Sequence, residues 1–232
     1  MSDKNDFLIV ALDYDSIEKA LSLVDKLPSV TFYKVGMELF YSAGYHIIKT
    51  LKDRGKKIFL DLKINDIPKT IEKATRVISR LNVDYLTLFT EGEGVEAAKQ
   101  ASAGSCLKIM NVTVLTSVPT QMDLKKTLNV AETKDSNIFN RVKERTDLSL
   151  QAGADGVICS GLETLRLRES LGNDFIIINP GVRPAGFSHG DQQRVVTPSD
   201  AYRDGASHIV VGRPFAESDD PNLLAESIYS VL

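Results

Sequence analysis

Short β-rich runs recur eight times along this chain, each followed by a stretch with helical spacing, and this alternation limits the fold more than any other feature. Strands are expected at 7–13, 31–37, 57–63, 84–90, 107–116, 156–160, 175–181 and 208–213. Between them lie segments such as 16–27, where Ile17, Ala20, Leu21 and Val24 share one helical face. Ile67-Pro68 opens another helix, with Asp66 at or beside the cap and Pro68 in the first turn. Strands that alternate with helices build a parallel sheet, either closed as an eightfold barrel or open and doubly wound. The open form calls for a glycine-rich turn after its first strand, and Ala11-Leu12-Asp13-Tyr14-Asp15-Ser16 has none. The expectation is an α/β fold, a (β/α)8 TIM barrel forming a single domain over 1–232. With 43% hydrophobic residues, a chain of 232 can fill one such core.

Two connections are long. Residues 117–154 carry Leu124, Leu128, Val130, Ile138, Val142, Leu148 and Leu150, so a largely helical excursion is expected there. Residues 182–197 hold Pro184, Gly186 and Gly190 without core periodicity, which reads as a lid loop at the exit of a barrel strand.

Composition narrows the partners. A net charge of −3 and the lack of a Lys/Arg run argue against nucleic acid. No apolar stretch approaches the roughly 20 residues that span a bilayer. The charged start, Met1-Ser2-Asp3-Lys4-Asn5-Asp6, lacks the layout of a signal peptide. Cys106 and Cys159 have no metal-ligand spacing and fall at or in strands, so both are expected to be buried and reduced. His46, His189 and His208 are scattered and are read as ordinary surface or core residues. A cytoplasmic setting follows, with no metal site and no cofactor expected.

The polar strand-end residues fall at the carboxyl ends. Asp13 closes the first strand, Lys34 sits late in the second, and Asp61 and Lys63 end the third. Thr113 to Ser117 follow the fifth, Pro180-Gly181-Val182-Arg183 the seventh and Gly212-Arg213 the eighth. In a barrel that rim hosts the active site. The third strand is the most telling, because Asp61-Leu62-Lys63-Ile64-Asn65-Asp66-Ile67-Pro68 puts a carboxylate and an ammonium on the inward face with Phe59. Burying such a pair costs several kcal/mol unless the charges meet one another. A structural ion pair with Asp66 as a simple cap is the plain alternative for that motif. Against it, Asp13, Lys34, Asp61 and Lys63 can converge over one barrel mouth. The Gly-Arg exits at Arg183 and Arg213 read as a phosphate site, since an Arg fork can donate two parallel hydrogen bonds and barrels often bind phosphate after strands seven and eight.

These pieces together resemble the orotidine 5′-monophosphate decarboxylase family: Ala11-Leu12-Asp13, Lys34-Val-Gly-Met-Glu-Leu-Phe40, Phe59 through Pro68, Val112-Thr-Val-Leu-Thr-Ser117, Pro180-Gly-Val-Arg183, Asp191-Gln192 and Val211-Gly-Arg213. The resemblance implies metal-free conversion of orotidine 5′-monophosphate to UMP in pyrimidine biosynthesis. It makes Lys63 the donor of the proton that replaces carbon dioxide at C6, with Asp61 beside the leaving carboxylate and Lys34 and Asp66 completing a charge network. Asp13 and Lys34 would hold ribose hydroxyls, Ser117 the pyrimidine, and Arg213 with Gly212 the phosphate. Gln192 would bridge phosphate and base, with Pro180 and Arg183 lining the same region and Thr113 also among the substrate-binding residues. A homodimer is implied, with Asp66 and Thr70 serving the partner's site. Asn65 and Phe89 stand where bacterial members often have His, and Glu91 and Glu93 where small residues are common. Those departures touch loop packing and the dimer contact, not the chemistry.

Two rivals remain at this stage. A magnesium-dependent sugar-phosphate decarboxylase or aldolase on the same barrel would want a Glu on the second strand, where Lys34 stands. A barrel that only binds phosphorylated ligands is also compatible with the fold.

Overall fold

The computed structural model describes residues 6–116, 138–184 and 194–232. Eight parallel strands close on themselves: β1 (Leu8–Leu12), β2 (Phe32–Gly36), β3 (Lys57–Ile64), β4 (Tyr85–Leu88), β5 (Lys108–Val112), β6 (Gly156–Ile158), β7 (Ile176–Asn179) and β8 (His208–Val211). Closure is direct, with Leu8, Ile9 and Val10 of β1 in register with Ile209, Val210 and Val211 of β8. The expected (β/α)8 barrel is what forms.

Alternation along the strands divides the core into two layers. Ile9, Ala11, Phe32, Phe59, Tyr85, Met110, Val112, Ile158, Ile178 and Val210 fill the barrel. Leu8, Val10, Leu12, Tyr33, Val35, Leu60, Leu86 and Ile109 point outward and are covered by helices. The helices start where short polar residues satisfy their first N–H groups. Ser16 Oγ accepts from Lys19 N ahead of Ile17–Asp25, Asp220 accepts from Leu223 N ahead of Pro221–Ser230, and Thr197 accepts from Asp200 N ahead of Pro198–Arg203. Helix Pro68–Ile78 has Ile67 as its cap and proline at its first position, so Asp66 lies just outside it.

Several expectations need correction. Strand β5 stops at Val112 rather than 116. Strand β8 stops at Val211 rather than 213, because the residue after Gly212 opens a short helix, Arg213–Glu217. Met37 begins a helix instead of ending a strand. Cys106 is exposed, because it falls in the turn before β5, whereas Cys159 is buried. Burial pushes the Cys159 thiol up to about 12, so it is inert as a nucleophile at neutral pH. Of the long excursion, the helix Ile138–Gln151 is described, and the remainder, with Leu124, Leu128 and Val130, lies outside the described residues. No helix among the described residues is long and apolar enough to cross a membrane.

Candidate active site

The chemistry-bearing residues sit on the carboxyl-end rim of β1, β2 and β3. Ala11 pairs with Lys34, Lys34 with Phe59, and Gly36 with Asp61, so neighbouring strands present Asp13, Lys34 and Asp61 side by side. Lys34 Nζ lies 2.7 Å from Asp13 Oδ1 and 3.8 Å from Asp61 Oδ2. Lys63 Nζ donates to both oxygens of Asp61, at 2.8 and 2.9 Å. The result is a chain of alternating charge, Asp13–Lys34–Asp61–Lys63, with no net charge. Its centre is the least accessible part, since the Asp61 and Lys34 side chains are each 12% exposed and that of Lys63 is 31% exposed.

Glycine makes room for this quartet. A Cβ on Gly36 would stand 3.1 Å from Lys34 Nζ, and one on Gly212 would stand 3.3 Å from Asp13 Oδ2. A side chain at either point would require its neighbours, Lys34, Asp13 or Ala11, to give by a few tenths of an ångström.

Lys63 reaches back to Asp61 because the backbone breaks register there. Leu60 pairs with Leu86 and Ile64 with Leu88, so β3 takes four steps where β4 takes two. Within that bulge Lys63 adopts φ +48, a left-handed conformation that costs a side-chain-bearing residue about 1–2 kcal/mol. Its neighbours hold it there. Lys63 N donates to Thr87 Oγ1 at 2.8 Å, and the same hydroxyl donates to Asp61 Oδ1 at 2.9 Å. Thr87 is fully buried and was not anticipated from sequence. The available signal was a lone hydroxyl at an inward position of the strand next to Asp61.

Burial alone would raise the pKa of Asp61. The Lys34 and Lys63 cations and the hydrogen bonds from Lys63 and Thr87 outweigh it and hold the carboxyl below its usual range. Asp61 is therefore a carboxylate throughout the neutral range, fixed at the centre of the site.

The other expected residues are placed as follows. Asp66 is exposed and accepts from Ile67 N at 2.7 Å; among the described residues it has no contact with the quartet of its own chain. Thr70 is exposed in the first turn of Pro68–Ile78, beside Ile67, which is 66% exposed. Thr113 is fully buried and its hydroxyl donates to Ile158 O at 2.9 Å, which puts it beneath the rim. Pro180 is half-buried, and Arg183 is buried with Nη1 donating to Val182 O. Gly212 is half-buried between β8 and its helix, and Arg213 is exposed. Ser117 and Gln192 lie outside the described residues. At the two departures on the fourth strand's exit, the Arg145 guanidinium stands over the Phe89 ring at 5.0 Å, and Glu91 pairs with Arg141 and Arg145. Both belong to loop packing, away from the quartet.

Such a site can hold a ligand's hydroxyls at Asp13 and Lys34, and it offers an ammonium proton from Lys63 at a fixed position. A divalent cation would meet Lys34 within 3.8 Å of the central carboxylate, which disfavours it there. Among the described residues no cluster of three or more His, Cys, Asp or Glu side chains is arranged to hold a metal.

Residues 6–228 match the model of the family described as orotidine 5′-phosphate decarboxylase / HUMPS. An orotidine 5′-phosphate decarboxylase of Fusobacterium nucleatum is 43% identical, covering 92% of this chain and 90% of its own. That of Jannaschia sp. is also 43% identical, with both chains covered completely. The crystal structure of orotidine 5′-phosphate decarboxylase from Lactobacillus acidophilus superimposes with a TM-score of 0.82 at 36% identity, covering 97% of each chain.

Proposed function

The chain belongs to the orotidine 5′-phosphate decarboxylase / HUMPS family, and from that premise we propose that it is a carboxy-lyase converting orotidine 5′-monophosphate to UMP and carbon dioxide, a step of pyrimidine biosynthesis. The observation that carries this reading is the Lys63 ammonium, bonded to both oxygens of Asp61 over the barrel mouth with Lys34 on the far side of the same carboxylate.

In the proposed reaction the bond between C6 and the carboxylate carbon breaks, and its electron pair stays on C6 as carbon dioxide leaves. Lys63 transfers a proton from Nζ to C6, and the resulting amine recovers one from solvent. The ring cannot spread the charge at C6, so a cation already held beside that carbon stabilises it without reorganising water. Asp61, fixed as an anion, faces the substrate carboxylate and raises the energy of the ground state relative to neutral carbon dioxide. A positioned acid supplies about 10²–10⁴-fold of a rate enhancement. Reactions this slow need up to roughly 23 kcal/mol. The fixed charges and the binding of the remote phosphate must contribute most of the rest. In this reading Asp13 and Lys34 hold the ribose hydroxyls, and Arg213 with the Gly212 backbone takes the phosphate. Pro180, Arg183 and Gln192 line that end and Ser117 lies toward the base, while Thr113, buried with its hydroxyl donated to Ile158 O, supports the strand exit from beneath.

Asp66 and Thr70 complete the site across a homodimer. Their exposure beside the uncovered Ile67 supports a second copy at that surface. The working unit is a single-domain, metal-free, cytoplasmic enzyme.

Loss of orotidine 5′-monophosphate absorbance in excess chelator tests the activity, and no loss from a folded wild type would favour the sugar-phosphate reading and call for magnesium titration. Mixing Lys63→Ala with Asp66→Asn protein tests the shared site. Random reassortment of a composite dimer restores roughly a quarter of wild-type turnover, whereas no recovery would mean that Asp66 does not serve the neighbouring subunit.

A further inference from the structure

Among the described residues, the bulkiest fully buried side chain is a cation that the proposed chemistry does not use. Arg194 is 1% exposed and forms an ion pair with Glu163, itself 5% exposed. Arg194 Nε and Nη1 and Glu163 Oε2 have no hydrogen-bond partner among the described residues. A buried ion pair is a weak device for stability, because desolvation offsets most of the attraction between the charges. Its surroundings suggest another purpose.

The segment Arg194 to Val196 is seated on the start of helix Gly161–Leu171 at three points. Ser160, the helix cap, donates its hydroxyl to Arg194 O at 3.1 Å. Glu163, in the first turn, takes the guanidinium. Val196 packs so tightly on Gly161 that a Cβ there would stand 2.3 Å from a Val196 methyl, so only glycine fits. From this seat one backbone bond crosses to the exit of β7, where Arg183 N donates to Val196 O at 3.0 Å. Glu163 is thus linked to Arg183 through the leg that carries Arg194 and Val196.

We propose that Glu163 and Arg194 form a positioning pair that sets the Arg183 segment for the phosphate end of the ligand. This rests on the decarboxylase reading and deepens it, since neither residue touches substrate. Salt-bridge directionality matters here: a carboxylate at the first turn of the helix fixes where the returning leg lies, and that leg fixes the height of Arg183 above β7. Loosening the pair leaves the Asp13–Lys34–Asp61–Lys63 quartet untouched, because that quartet stands on β1 to β3.

The test compares UMP with uridine as ligands for wild type, Glu163→Gln, Arg194→Met and Arg194→Lys, each checked for folding by circular dichroism. Glu163→Gln is expected to weaken UMP at least about tenfold while uridine changes less than about twofold, and to raise KM for orotidine 5′-monophosphate more than it lowers kcat. Arg194→Lys, which keeps the charge, should retain part of the UMP affinity lost in Arg194→Met. Equal weakening of UMP and uridine in a folded variant would overturn the proposal, as would unchanged UMP binding. Should Glu163→Gln fail to fold, Glu163→Asp keeps the charge one methylene short and carries the same comparison. Failure of the wild type to turn over orotidine 5′-monophosphate would instead refute the decarboxylase reading.

Discussion

The two ends of the barrel are both rich in charge, and they use it differently. At the amino end, Asp84 takes Lys52 and also accepts from Ile58 N, while Asp155 takes Lys99 and accepts from Ile109 N. Lys57 meets Asp6 across the same floor, and a cavity of about 870 Å³ opens among these groups. Asp84 and Asp155 each bond both a cation and a backbone N–H of a neighbouring strand, so they stitch the sheet. At the carboxyl end the charges bond one another through side chains, around a strained Lys63 in a break of register. A cavity lined with charge is therefore a weak guide to function. Carboxylates that satisfy the backbone hold the fold, and those paired through side chains alone, as Asp61 is with Lys34, Lys63 and Thr87, are placed to act on a ligand.

That contrast can be broken most sharply at Lys63. Lys63→Ala should lower kcat by about 10³-fold or more with little change in melting temperature. Lys63→Gly should be as inactive yet more stable than Lys63→Ala by about 1 kcal/mol, because glycine adopts φ +48 without steric cost. Equal stabilities would remove strain from the account.

A smaller effect is expected at Thr87. Thr87→Val keeps the shape and removes the hydroxyl that joins Lys63 N to Asp61 Oδ1. Turnover should fall about 10–100-fold, and stability by about 1–3 kcal/mol for the groups left unpaired. Steady-state kinetics together with urea denaturation would measure both, and a stability loss with unchanged kcat would make Thr87 a packing residue.

The floor should behave in the opposite way. Asp155→Asn weakens a pairing with Lys99 and leaves the strand contact poorer, so it should cost about 1–3 kcal/mol of stability. Its kcat and KM should stay within about twofold of wild type. A large loss of turnover there would erase the distinction between the two ends.

The smallest effect concerns pH. His208 Nδ1 faces Asp6 O at 2.7 Å and so must carry the proton, leaving Nε2 to accept from the Tyr85 hydroxyl at 2.8 Å. Burial holds its pKa below the ordinary histidine value. The unfolded chain then binds the proton more readily, so this contribution is complete above pH ~6.5 and is lost as pH falls toward the folded value. Melting temperature should drop by a few degrees between about pH 7 and 5, and His208→Gln should flatten that segment of the profile. Asp61 obeys the same sign at lower pH, its contribution present above pH ~4 and lost as the medium becomes more acidic.

Local pattern carried the barrel and most of its rim into view. Inward Ile9, Ala11, Phe32 and Phe59 follow from period-two alternation, and so do Asp13, Lys34 and Asp61 above them. What escaped depends on contacts distant in sequence. The left-handed Lys63 arises because β3 outruns β4, which no window around Lys63 reveals. Thr87 matters only once β4 lies against β3, and the Glu163–Arg194 pair joins residues on either side of β7. Cys106 is exposed because it stands two residues ahead of β5, which begins at Lys108, one residue later than expected. Helix and strand ends are where tertiary context overrides local preference most easily.

The most direct test is ultraviolet loss of orotidine 5′-monophosphate by the purified protein in excess chelator, with Lys63→Ala and Asp155→Asn measured beside it and all three melted. Rapid loss in wild type and Asp155→Asn, abolished in a folded Lys63→Ala, is the predicted result. A Lys63→Ala protein that still turned over at near wild-type rate would contradict the assignment of the chemistry to the carboxyl-end quartet.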